Sequence, residues 1–183
     1  MDLTIREAEP EEYDLLGEIT ARAYLGDGLL PGADDPYAAR LRDVPGRAAV
    51  AEVLVAVDDT GTVLGGVTYA PPGSPMCDVA AADEAEFRML AVDVAGRGRG
   101  AGEALVRACV ARARATAGVT GLALSTQTAM VGAHRIYHRL GFARTPERDW
   151  APVPGLTLLT YRLDLGDDTG DGPGGDRGTT AWG

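Results

Sequence analysis

The 183-residue sequence predicts a single α/β domain. Three observations carry that expectation. Strand-like and helix-like segments alternate, a valine-rich pair of strands is joined by a tight turn, and a glycine-rich turn links a strand to a helix. In chain order, Leu3-Thr4-Ile5 opens as a short strand. Pro10 suits the first turn of a helix whose Tyr13, Leu16, Ile19 and Ala23 share one face. A loop with Gly26, Gly28, Pro31 and Gly32 follows. Asp35-Pro36 then reads as N-cap and first residue of a short helix carrying Tyr37, Leu41 and Val44. Val53, Val55 and Val57 alternate along a strand, Asp58-Asp59-Thr60-Gly61 turns, and Val63 to Tyr69 returns as hairpin partner. Residues 71–82, with three prolines, form a loop. A strand over residues 86–92, a helix after Gly100, a strand at Leu122 to Ser125 and a helix from about Val131 to Leu140 come next. Leu159, Tyr161, Leu163 and Leu165 share one face of the last strand.

The folded domain is expected over residues 1–165. Residues 166–183 hold seven glycines and four aspartates and almost no large apolar side chain, so they read as a disordered tail. Apolar residues make up 45% of the chain and charged ones 24%, ordinary for a globular protein large enough to bury a core. No apolar run approaches bilayer length, and Met1-Asp2-Leu3-Thr4 lacks a basic, apolar signal segment, so no membrane partner is expected. Two cysteines, Cys77 in a loop and Cys109 on a helix, make no disulfide framework and agree with a reducing cytoplasm. A net charge of −10, with no basic cluster outside the glycine-rich turn, argues against nucleic acid.

The glycine-rich turn is Arg97-Gly98-Arg99-Gly100-Ala101-Gly102. Between strand and helix it leaves backbone N–H groups at a helix N-terminus for a phosphate or pyrophosphate, with no side chains to hold the anion away. The dinucleotide fingerprint can be laid on Gly96, Gly98 and Ala101, but the acidic ribose ligand due about twenty residues on is missing from Thr116 to Gly121. The phosphate loop of nucleotide hydrolases needs a lysine, and the chain has none. An ordinary βα turn without a ligand is the plain alternative.

The pattern Arg-x-x-Gly-x-Gly after a strand ending in Leu90-Ala91-Val92-Asp93 resembles the pyrophosphate motif of the GNAT superfamily of acyl-CoA-dependent N-acetyltransferases. A second block, Ala133-His134-Arg135-Ile136-Tyr137-His138-Arg139-Leu140-Gly141-Phe142, resembles that family's closing signature, with glycine at the helix C′ position. The blocks cover roughly residues 84–142, and the preceding hairpin extends the likeness to most of the domain. The resemblance implies the GNAT fold: a mixed, mostly antiparallel sheet of six to seven strands with helices on both faces. It implies acetyl-CoA as acyl donor, held by Leu90, Ala91 and Val92 and by Arg97, Gly98, Arg99, Gly100, Ala101 and Gly102.

The implied reaction is direct attack of a neutral amine on the thioester. It needs a base for the ammonium proton, a donor for the carbonyl oxygen and an acid for the leaving thiolate. Tyr137 matches the family's thiolate-protonating tyrosine. Met130 stands where the family often has asparagine. For the base, Glu84, Glu86 and Arg88 alternate along one strand face. Glu86 has the spacing to Arg97 of the histone-type glutamate, and Glu84 that of the ribosomal-protein alanine N-acetyltransferases. Glu86, deeper in the strand, is preferred, although a one-residue bulge would exchange the faces, and either glutamate could simply pair with Arg88.

His134 and His138 stand four apart on the last helix without a third ligand, so they read as exposed histidines and no metal is expected. The acceptor in this fold enters between the first two helices and the loop joining the last two strands, which supply Asp27, Asp34, Asp35, Tyr37, Asp149 and Trp150, then Pro152-Val153-Pro154-Gly155. Aromatic groups with carboxylates suit a small cationic amine. A peptide N-terminus is the alternative acceptor, and a non-catalytic acyl-CoA sensor the alternative function. A homodimer is compatible with all of these.

Overall fold

The computed structural model describes residues 2–166. The expected tail therefore lies outside the described residues, apart from Gly166. The elements are β1 (Thr4–Glu7), α1 (Tyr13–Gly26), α2 (Pro36–Arg42), α3 (Val44–Ala48), β2 (Glu52–Val57), β3 (Val63–Ala70), β4 (Glu84–Val92), α4 (Ala101–Ala115), β5 (Gly121–Gln127), α5 (Val131–Arg139), β6 (Ala143–Arg144), β7 (Trp150–Val153) and β8 (Leu156–Asp164). They form one mixed sheet in the order β1-β2-β3-β4-β5-β8-β6, with β7 also on β8. Every pairing is antiparallel except β4 with β5.

The sheet has eight strands, more than the six to seven expected. Trp150–Val153 reads as loop because of Pro152 and Pro154, yet it forms β7. Proline cannot donate to a ladder, and here Pro152 falls where the register between Trp150↔Leu158 and Val153↔Leu156 slips. The expected helix through Tyr37, Leu41 and Val44 is broken in two. Asp43 leaves helical geometry at ψ 68°, its carboxylate accepts from the Gly46 N–H at 2.9 Å, and α3 starts afresh at Val44. The upstream N-cap is as expected, with Asp35 Oδ1 accepting from the Tyr37 N–H at 2.8 Å.

Two apolar layers sandwich the sheet. Val53, Val55 and Val57 pack on Leu16, Ile19 and Val44 of α1 and α3. Leu54 and Ala56 of the same strand face Leu105, Val106 and Cys109 of α4 on the other side. The period of two thus serves two cores, and β2 and β3 are buried almost throughout. Cys77 and Cys109 are free thiols.

Candidate active site

The site is built where β4 leaves β5. The parallel pairing runs only through Glu84↔Gly121, Ala85↔Leu122 and Glu86↔Ala123. Beyond it, β4 bulges. Met89 has φ +54°, and the β3–β4 register slips between Thr68↔Arg88 and Gly66↔Ala91. Before the bulge, Ala85 and Phe87 face the α4 core; after it, Leu90 and Val92 do, while Met89 turns to Ala21 and Leu41 on the other side. The strands diverge into a cleft lined by Tyr24, Phe87, Arg88, Met89, Leu90, Ser125, Thr126, Met130 and Tyr137. The β4 edge facing β5 is unpaired along this stretch, because β3 occupies only its other edge.

At one end of β4 lies the glycine-rich turn. Gly98 and Gly100 have φ +73° and +82°, and a Cβ on either would meet no atom within 4 Å. Both are therefore required by backbone conformation and stand open to solvent. Gly100 is the N-cap of α4 without a side-chain cap, and the first N–H of that end to bond back is Ala104, to Gly100 O at 3.0 Å. The preceding N–H groups of the first turn point outward with the positive end of the helix dipole, a fit for a pyrophosphate. The arginine side chains turn elsewhere: Arg97 pairs with Asp27 at 3.1 Å, and Arg99 with Asp58 in the β2–β3 turn at 3.2 Å.

Beside Phe87, midway along β4, α5 delivers Tyr137. Gly141, at φ +89°, ends the helix in a Schellman motif, with Phe142 N–H donating to Tyr137 O at 3.0 Å and Gly141 N–H to His138 O at 3.1 Å. That cap turns Phe142 back under the helix. The Tyr137 ring is fixed among Phe87, Phe142 and Tyr161, with centroids 5.8–5.9 Å away. It is buried, and burial raises its phenol well above the ordinary value, so it is neutral at physiological pH.

This geometry is matched by kinship. A model of the Acetyltransferase (GNAT) family aligns with residues 16–142. The chain belongs to the GNAT acetyltransferase family. The fold is similar to that of a GNAT-family acetyltransferase from Staphylococcus aureus Mu50 (TM-score 0.70, 15% identity, covering 90% of this chain and 100% of that one). It is also similar to a phosphinothricin acetyltransferase from Sinorhizobium meliloti in complex with acetyl-CoA (0.65, 20%, 95% and 94%). A third likeness is to a GCN5-related N-acetyltransferase from Kribbella flavida (0.64, 26%, 89% and 98%). No curated protein sequence matches it. As a GNAT enzyme the protein is an acetyl-CoA-dependent acetyltransferase acting on an amine.

Within this GNAT site, the two glutamates of β4 have different surroundings. The bulge lies after Arg88, so Glu84, Glu86 and Arg88 keep a common face. Neither glutamate pairs with Arg88 by an ion pair; Arg88 binds Asp78 at 2.8 Å instead. Glu84 is clamped by Arg148 and Arg162, each at 2.6 Å, and accepts from the Ala81 N–H. Burial pushes its carboxyl up, but the two guanidiniums and the N–H together bring it down to about 2. Glu86 is fully buried. Its Oε2 accepts from the N–H groups of Asp78, Val79 and Ala80 at 2.8, 2.9 and 3.1 Å, while its Oε1 has no partner. Burial raises this carboxyl, and the three N–H groups only partly oppose it.

Several expectations for the acceptor side change. Asp149 is tied to Arg144 at 2.7 Å and accepts from the Thr160 N–H at 2.8 Å; Asp27 is paired and Asp35 caps α2. Asp149 and Asp35 are engaged by the fold, and Asp27 is held in an exposed pair. His134 is not exposed: its Nε2 lies 3.1 Å from Gln127 O, its ring lies 5.8 Å from that of Tyr161, and burial lowers its pKa. Tyr24 is a wall of the cleft that the apolar stripe of α1 did not single out, although it stands eight residues after Leu16 and three after Ala21, on the inward side. Met130 is at the cleft too, its sulfur accepting from Thr126 Oγ1 at 3.5 Å.

Proposed function

We propose that this acetyltransferase modifies the primary amine of a small molecule, with Glu86 as base and Tyr137 as acid. The observation that carries the reading is the divergence of β4 from β5 after Glu86↔Ala123, which opens a cleft walled by Leu90 and Tyr137, with the glycine-rich turn following at the end of the same strand. Acetyl-CoA supplies an acetyl group activated as a thioester. The N–H groups of residues 98–102 hold its pyrophosphate, and the unpaired β4 edge at Leu90, Ala91 and Val92 holds its pantetheine arm and polarises the carbonyl oxygen.

The amine arrives as an ammonium ion, since alkyl amines are mostly protonated near pH 7, and the −10 net charge favours its approach. Glu86 Oε1 is the unengaged oxygen of a carboxylate anchored through Oε2, so it takes the proton through water without losing its position. Tyr137, held neutral by burial, returns a proton to the departing CoA thiolate. Glu84, with both oxygens paired, has no free lone pair aimed at an amine; this weakens the peptide N-terminal reading, which rests on that residue. The test is thiol release from acetyl-CoA with a panel of small amines and of alanine-terminated peptides. The expected result is turnover with small amines. Turnover with peptides alone, or with nothing, overturns the reading.

A further inference from the structure

The face of the sheet beneath α1–α3 carries polar capacity that the fold does not use. Among the described residues, five buried side-chain atoms lack a hydrogen-bond partner, and three of them, Arg47 Nε, Thr68 Oγ1 and Glu86 Oε1, lie on this side around Arg88. Thr68 is directly opposite Arg88 in the β3–β4 ladder, so their side chains share a face. Glu86 precedes Arg88 by two residues on that same face. Buried polar atoms in folded proteins are nearly always paired, so a cluster left open beside a cleft indicates a ligand.

The two arginines share a second property. Arg88 lines the cleft and uses Nη1 alone, for Met76 O at 3.1 Å and Asp78 Oδ2 at 2.8 Å. Arg47, 4% exposed, also uses Nη1 alone, for Leu41 O at 2.7 Å and Arg40 O at 3.2 Å. No hydrogen bond among the described residues engages the Nε/Nη2 edge of either guanidinium, and Arg47 has no carboxylate in ion-pair contact. That edge is the fork that binds a carboxylate through two parallel N–H bonds. Tyr24 joins the parts: it lines the cleft with Arg88 and Tyr137 and lies within electrostatic reach of Arg47. A nearly buried guanidinium without an anionic partner is costly, and a ligand anion lowers that cost.

We propose that the acceptor is zwitterionic: a primary amine carrying a carboxylate, as in a free α-amino acid, with the carboxylate bound at the open edge of Arg88 and drawn inward by the charge of Arg47. The ammonium end then lies toward Glu86 and Thr68, two residues along the strand and one strand across. This inference deepens the small-amine reading and rests on it. It replaces the expected aspartate-lined pocket with an arginine-lined one: Asp27, Asp35 and Asp149 are engaged elsewhere, and Asp34 is not among the residues that line the cleft.

The test compares matched pairs, each α-amino acid against its decarboxylated amine, by thiol release and by the rise in unfolding temperature at saturating ligand. Wild type should favour the carboxylated member by about ten- to hundredfold in kcat/KM, the scale of charge-assisted hydrogen bonds. Arg88→Gln should erase that preference through KM, Arg88→Lys should keep part of it, and acetyl-CoA affinity by calorimetry should stay unchanged in both. Equal or better turnover of the decarboxylated amines overturns the proposal and leaves acetyl transfer standing. If no amine is turned over but carboxylated members raise the unfolding temperature in an Arg88-dependent way, the anion site stands and the small-amine reading falls. If neither signal appears, both fall.

Discussion

In the proposed reaction, Tyr137 serves packing and chemistry together. Its ring closes the aromatic cluster of Phe87, Phe142 and Tyr161, and its place at the cleft wall offers a phenol to a leaving group. Tyr137→Phe keeps the ring, so acetyl-CoA affinity should hold while kcat falls roughly ten- to a thousandfold, the scale of one lost acid. A kcat within twofold of wild type would mean that water protonates the thiolate. In the proposed reaction, Glu86 divides anchoring and proton transfer between its two oxygens. Because its carboxyl is raised, it is deprotonated only at higher pH, and wild-type kcat/KM should climb with pH through the apparent values of base and amine. Glu86→Gln should remove the lower limb and leave the amine's own ionisation. A pH profile that keeps both limbs in the variant would assign the proton to ordered water and leave Glu86 as the anchor of residues 78–80.

Among the elements, β4 and the turn that follows it make the site. A regular β4 would pair with β5 along its whole length and seal the cleft; the extra residue at Met89 prevents this and turns Leu90 and Val92 to the α4 core. The turn then depends on left-handed backbone at Gly98 and Gly100. Gly100→Val should cost about 1–2 kcal/mol through that strain while placing a branched side chain where the phosphates are proposed to lie. The expected outcome in calorimetry is loss of acetyl-CoA binding, with the circular dichroism spectrum of the folded protein retained. Wild-type affinity in a folded variant would move the pyrophosphate off this turn.

Across the whole molecule, Glu84 ties together segments far apart in sequence. Its carboxylate joins β4 to Arg162 of β8 and to Arg148 in the connection between β6 and β7, on the half of the sheet that lies past the cleft. Glu84→Gln removes the anion that Arg148 and Arg162 share, leaving Arg162 only Asp164 at 3.7 Å, and should cost about 2–4 kcal/mol, somewhat less than a fully buried pair. That corresponds to a fall in unfolding temperature of roughly 5–10 °C. The kcat/KM pH profile should be unchanged. The pH dependence has a definite sign. The folded value of Glu84, about 2, lies below its ordinary 4.5, so its contribution is present above 4.5 and is lost as pH falls from there through 2. Urea midpoints from pH 6 to pH 2 should decline less steeply in Glu84→Gln than in wild type. Identical slopes would show that this clamp adds no net stability.

The order of elements, the N-cap at Asp35, the Asp58 turn and the Gly141 stop were legible in the chain because each follows from local backbone chemistry: periodicity, a capping carboxylate, an obligatory positive φ. The family was legible for a similar reason, since its two blocks are short contiguous segments. β7 was hidden by Pro152 and the adjoining Pro154, and the α2–α3 break by a continuous apolar spacing, because in each case tertiary contact or a cap outweighed the local pattern. The chemistry on β4 was half legible. Alternation set Glu84, Glu86 and Arg88 on one face, but which carboxylate is neutralised by arginines depends on Arg148 and Arg162, more than sixty residues away. The fate of Asp27 and Asp149, expected beside the acceptor, was not legible. Whether an aspartate attracts a ligand or ends in an ion pair is decided by which arginine the fold brings beside it, a property of distance in space that spacing along the chain does not encode.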